Sequence, residues 1–211
     1  MNEYDIEELN DLEDWEDIDD LIDDYFDDME LPKEEKDKRK DFSKKFIDKV
    51  LFVFALLTVM RENKRINRNR LVNTLSEEYK ALLSQYMSLD DYLNEHIDDF
   101  SNEIIDTSLK NIDNDFFTSE DRAFLIGVNE ANTGFNYQNF IQAIEQGKTK
   151  KQWITEKDRK VRKTHKELDD KTIPILNVFS VGNTFMRFPH DTLFGTDYKE
   201  LSNCRCSIKY F

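Results

Sequence analysis

Apolar side chains recur every three or four positions through the middle of this 211-residue chain, a spacing that admits little besides packed helices. Phe46, Val50, Val53, Phe54 and Leu57 stripe one helix, and Leu71, Leu75, Tyr79, Leu82 and Tyr86 stripe a second. Leu89, Leu93, Ile97, Phe100 and Ile104 stripe a third. A fourth is predicted to begin near Thr118, where Thr118 and Asp121 resemble a capping box, and to stop at Gly147. The stripes read as core rather than as a cofactor box, because this spacing is what two packed helices need. Beyond Gly147 the pattern changes to Gly, Pro, Asn and Thr punctuation around short β-branched or aromatic runs. Residues 173–181 and 204–210 are predicted strands, the second alternating Cys204, Cys206, Ile208 and Tyr210 against Arg205, Ser207 and Lys209. The expected fold is α+β, a helical N-terminal half followed by a small α+β C-terminal domain with a short sheet. Residues 1–41 are expected to be an acidic segment with its linker, 42–117 a helical region and 118–211 the C-terminal domain.

Charge is segregated. The net charge is −15, yet residues 1–30 alone hold 16 Asp and Glu and no Lys or Arg, which leaves 29 acidic against 30 basic residues elsewhere. Leu9, Leu12, Trp15, Ile18, Leu21, Ile22, Tyr25, Phe26 and Met29 would give a helix there one apolar stripe opposite a face of carboxylates. Repulsion among those charges predicts disorder until a partner supplies an apolar groove with a basic rim; a solubilising tail is the alternative. Pro32 and the mixed-charge run Lys33–Asp41 read as the linker.

No charged, then apolar leader opens the chain, and Val50–Met60 offers 11 uncharged residues where a bilayer span needs about 20. No membrane partner is expected. Cys204 and Cys206 are too close along the chain for a comfortable disulfide, whose Cα atoms sit about 5.5 Å apart, so the thiols are expected reduced, in the cytosol.

Three constellations carry chemistry. Lys148–Lys163 holds eight basic residues against Glu156 and Asp158, with Trp153 among them. Lys148, Lys150, Lys151, Trp153, Arg159 and Lys160 are the candidate contacts to a phosphate backbone; a solvated face is the alternative. Asp158, Arg162 and His165 stand at i, i+4 and i+7, one face of a helix, where Asp158 would pair with Arg162. That trio reads as a polar network pinning the helix to the sheet, or else as a site with His165 as general base. His165, Cys204 and Cys206 are donors of the kind zinc takes, and Asp191 or His190 would close a tetrahedron; buried cysteines are the alternative.

From Asp121 onward the order of features resembles the phage Mu protein F-like head morphogenesis family. The pieces are a helix bearing Glu130, the strand entry Lys151-Gln152-Trp153, the stretch Asp158, Arg162, His165 ending in Leu168-Asp169-Asp170, the loop Pro189-His190-Asp191, and the terminal Asn203-Cys204-Arg205-Cys206. Asp170 stands where the family usually has Gly, and His190 where Gly is common, so the tight turns at both places are expected to be altered. The resemblance implies a minor head protein of a tailed bacteriophage, a morphogenetic part rather than an enzyme, held at the portal or inside the procapsid with portal or other capsid proteins, and touching packaged double-stranded DNA. It would be found in the bacterial host cytoplasm during assembly and then in the virion head. Two rivals remain: a small nuclease or toxin-like enzyme with ribonuclease chemistry at Asp158, Arg162 and His165, and an acidic regulator whose first thirty residues mimic nucleic acid.

Overall fold

A computed structural model describes residues 18–195 and 197–211. The fold is α+β, with a helical N-terminal half and a small antiparallel sheet near the C-terminus. The chain divides into two compact units: residues up to Lys40 join Val128–Phe211 in the first, and Asp41–Gly127 form the second. This replaces the three consecutive segments expected from sequence. The chain passes between units inside two continuous helices, α2 (Lys33–Glu62) and α5 (Glu120–Glu145).

In the Asp41–Gly127 unit, α3 (Arg68–Leu83) and α4 (Asp91–Lys110) follow α2, each opened by a side-chain cap. Asn67 accepts the Arg70 N–H and Asp90 the Leu93 N–H. The predicted stripes turn inward: Phe46, Val50, Val53, Phe54, Leu57, Leu71, Leu75 and Tyr79 are all buried. On α4 the buried face carries Leu93, Ile97 and Ile105, so the stripe ends one position later than Ile104. Phe46 and Tyr79 meet with ring centroids 4.3 Å apart, and Tyr79 meets Phe100 edge-on at 5.7 Å. A 3₁₀ turn, Asp115–Thr118, precedes α5, whose cap is Ser119 rather than Thr118: Ser119 Oγ accepts the Arg122 N–H at 3.2 Å. Arg122 is buried, donating to Ser108 Oγ and the Phe117 carbonyl and lying 5.3 Å from the Phe54 ring centre. Burial pulls it down to about 10. Glycine is needed at 127 for close approach, since a Cβ there would stand 2.5 Å from Ile47 Cγ1.

The first unit begins with α1 (Ile18–Asp27), whose Ile22 and Phe26 are fully buried, with Met29 just beyond. The part of the acidic segment that is described therefore folds against its own chain, correcting the expectation of disorder for residues 18–30. Residues 1–17, with Leu9, Leu12 and Trp15, lie outside the described residues. Carboxylates of α1 and the residue after it meet cations of this unit: Lys40 lies 2.9 Å from Asp27, and Arg205 2.9 Å from Asp28. The expected linker Lys33–Asp41 is instead the first part of α2, which Pro32 precedes without cost because a first-turn N–H has no helical partner. Arg39 explains why that turn stays: fully buried, its guanidinium donates to Asn132 at 2.6 Å, to Asn136 at 2.8 Å and to Glu35.

After α5, which stops at Gly147 with φ of 72°, the sheet is built from β1 (Lys150–Ile154), β2 (Thr172–Pro174) and β5 (Ser207–Tyr210) in the order β2-β1-β5, all antiparallel. Trp153 stands opposite Ile208 and Lys151 opposite Tyr210. The predicted strand 173–181 is two strands, β2 and β3 (Phe179–Val181), and β3 pairs with β4 (Thr184–Met186) as a separate hairpin. Beneath the sheets Trp153, Leu168, Phe179, Val181, Met186, Leu201, Cys204 and Cys206 form one core cluster. Burial of each large member is worth about 1.5–3 kcal/mol. Asp170 and His190 hold φ of 60° and 68°, so both turns keep the left-handed backbone that glycine would favour. Among the described residues no helix is long and apolar enough to cross a membrane.

Candidate metal centre

His165 sits in a short helix, α6 (Lys163–Lys166), that follows a turn rather than extending from Asp158. Asp158 Oδ1 accepts the backbone N–H groups of Lys160 and Val161, and its other oxygen pairs with Arg205. Arg162 instead donates to the Ser202 carbonyl. The Asp158–Arg162 pair expected on one helix face is thus not formed. An Asx turn fits the sequence equally well, and Arg205, 47 residues away, competes for the carboxylate.

The ring of His165 is held on three sides. Trp153 meets it edge-on with centroids 5.7 Å apart. Nε2 lies 3.0 Å from Glu200 Oε2, and that oxygen also accepts the Thr164 hydroxyl at 2.7 Å. Nδ1 faces two sulfurs at once, Cys206 Sγ at 3.3 Å and Cys204 Sγ at 3.5 Å. Glu200 comes from α7 (Tyr198–Leu201), capped by Asp197, while the cysteines lie in the stretch just before β5. The carboxylate has room because residue 182 is glycine: a Cβ there would stand 2.2 Å from Glu200 Oε1, on a backbone with φ of +54°.

Electrostatics separate the two thiols. A hydrogen bond from Cys206 holds the Cys204 thiol well below the ordinary range; burial opposes this and His165 adds to it. The same bond to Cys204, together with burial, pushes Cys206 up. Burial pulls His165 down, but the charge on Cys204, its hydrogen bond and Glu200 outweigh this, and the net direction is upward. The Cys204 carbonyl is also fixed, by His190 Nε2 at 2.7 Å and the Tyr25 hydroxyl at 3.1 Å. The three side chains line a cavity of about 20 Å³ together with Glu156, Arg162 and Arg205.

Of the residues singled out in sequence, His165, Cys204 and Cys206 converge, with donor atoms all within 4.8 Å of one another. Neither suggested fourth ligand joins them. Asp191 is spent on Arg187, at 2.7 and 2.9 Å, and His190 on the Cys204 carbonyl. Pro189 accepts Asn136 Nδ2 through its carbonyl, and the N–H of Asn203, a residue with φ of 54°, donates to Asn129 Oδ1. Glu130 is buried on α5. The phosphate-contact set divides. Trp153 and Lys151 are fully buried, which removes them from any such surface, whereas Lys150, Arg159 and Lys160 are exposed and Lys148 is half-buried. Strand alternation accounts for it, since Lys151 and Trp153 share the inward face of β1. Sequence reasoning missed Glu200, Gly182 and Arg39: the first lies on a four-residue helix, the second in the turn between two three-residue strands, and the third was hidden in a charge run. No family model, curated protein or solved structure matches the chain.

Proposed function

We propose that the chain is a minor head protein of a tailed bacteriophage, a structural part of head morphogenesis held at the portal or inside the procapsid. One observation supports the reading most: the residues that carry the family resemblance, spread from Glu130 to Cys206, meet in one unit and have structural work there. Trp153, Leu168, Cys204 and Cys206 share a core cluster, Asp191 clamps Arg187, and Asn203 ties the last stretch to α5. A motif whose members interlock in this way specifies a body to be docked rather than a cleft open to substrate. Its partners would be the portal or other capsid proteins. Packaged DNA would be met by Lys148, Lys150, Arg159 and Lys160, in the host cytoplasm first and in the virion afterwards. Nuclease chemistry is less well supported, because Asp158 turns to Arg205 instead of joining Arg162 and His165.

The experiment is co-expression of the chain with portal, scaffold and major capsid proteins of a tailed bacteriophage, followed by mass spectrometry of purified procapsids. The chain is expected in a few copies per particle, co-purifying with the portal. Procapsids devoid of it, and a portal that does not retain it, would overturn the assignment.

A further inference from the structure

We infer that His165, Cys204 and Cys206 hold one zinc ion, with the fourth coordination position facing the small cavity and filled by water. The inference does not rest on the head-assembly reading. Nδ1 of His165 stands at nearly equal distance from both sulfurs, 3.3 and 3.5 Å. A proton on Nδ1 points at one acceptor only, whereas a metal takes all three donors together. Zinc bonds of about 2.3 Å to sulfur and 2.0–2.1 Å to nitrogen, opened to the tetrahedral angle, put nitrogen and sulfur about 3.6 Å apart. The observed spacings need a few tenths of an ångström of expansion.

The surroundings match what a zinc-bound imidazole requires. Nε2 donates to Glu200, which fixes the ring and leaves the Nδ1 lone pair for the ion; the Thr164 hydroxyl holds that carboxylate in turn. Two thiolates and an imidazole select zinc over the hard cations magnesium and calcium. The three donor residues line a cavity of about 20 Å³, enough for a water molecule, which needs about 10–15 Å³. Zinc takes the place of the protons these donors hold, so loading releases acid.

The test uses the full chain, reduced and stripped with chelator, titrated with Co(II) as a coloured stand-in for zinc. A near-ultraviolet thiolate charge-transfer band and intense tetrahedral ligand-field bands are expected to saturate at one equivalent and to vanish on adding Zn(II). Added imidazole should shift the bands by entering the open position. Cys204→Ser and Cys206→Ser should each remove most of the charge-transfer intensity. Because those variants change core residues, Glu200→Gln supplies a second arm, with circular dichroism as its folding check: zinc affinity should fall about 10–100-fold with the fold retained. A wild-type chain that shows no thiolate band, or whose two thiols alkylate as fast with zinc as without, overturns the site. Unshifted bands with imidazole overturn the open position, and unchanged affinity in Glu200→Gln overturns the role given to the carboxylate.

Discussion

Gly182 and Glu200 occupy one another's space: the carboxylate oxygen sits 2.2 Å from where a Cβ on residue 182 would be. An alanine there meets both that oxygen and a left-handed backbone, φ +54°, that costs an L-residue about 1–2 kcal/mol. Glu200 can swing away, but in doing so it leaves His165. Gly182→Ala is therefore expected to lower stability by about 1–3 kcal/mol. Combined with Glu200→Gln it should cost clearly less than the two single changes added, as contacting residues do. Urea melts of the four proteins in the cycle measure this, and strict additivity would show that the two residues do not communicate.

Lys151 is a cation in the interior of the first unit with no hydrogen-bond partner among the described residues. Its ammonium lies 5.0 Å from the Phe140 ring centre and 5.5 Å from that of Phe179, and burial pulls it down to about 8, with Asp191 opposing and Arg187 assisting. An unfolded lysine titrates near 10.4, so between about pH 8 and 10.4 the unfolded chain binds more protons than the folded one. The penalty for this residue is then fully present below pH 8 and relieved as pH rises through that window. Lys151→Met is expected to raise stability at pH 7 by about 1–3 kcal/mol, with a gain that shrinks toward pH 10. Chemical denaturation of both proteins at pH 7, 8, 9 and 10 gives the difference curve. A gain that grows with pH contradicts the argument.

Arg39 holds the start of α2 against α5 through Asn132, Asn136 and Glu35, and Asn139 adds a bond to the same Glu35 carboxylate at 2.7 Å. Removing one partner from a buried charge network leaves the others unsatisfied, at a cost of about 3–5 kcal/mol. Arg39→Met should show that loss in thermal melts, together with faster proteolysis within residues 18–40. Lys38→Met, one position away on an exposed pair with Glu34, should change stability by less than about 0.5 kcal/mol.

Among the basic residues of the 148–163 run, exposure predicts which can reach a phosphate. Replacing Lys150, Arg159 and Lys160 together by alanine should flatten the log–log salt dependence of double-stranded DNA binding by roughly 0.9 for each phosphate that is no longer neutralised. Trp153→Phe should leave the slope alone and lower the melting temperature, because the indole is fully buried. Fluorescence anisotropy over a salt series separates the two, and a slope that follows Trp153 would reverse the assignment.

Helices were legible in the sequence wherever one face repeats over several turns, so the stripes through Phe46 and Leu71 fall in the core as expected. The start of α2 was not legible, because its anchor is one buried arginine, and a charge run gives no sign of which member turns inward. Asp158 misled for a related reason: spacing at i and i+4 states what a helix would bring together, not whether the chain is helical, and a turn through Lys160 and Val161 satisfies the same carboxylate. The thiol and imidazole donors could be named because few residue types bind soft metals. The carboxylate behind them could not, since nothing near Glu200 in sequence distinguishes it from the many other acids.

The unit formed by Asp41–Gly127 is an insertion within the other, and this sets an order of events on the ribosome. It is built from one continuous stretch, so it can fold while synthesis proceeds, whereas residues 18–40 bond to partners that run from Asn132 to Arg205. The acidic helix, the first of the described residues to emerge, must wait for Cys204 and Arg205. During that interval its apolar face is open to any other surface in the cell.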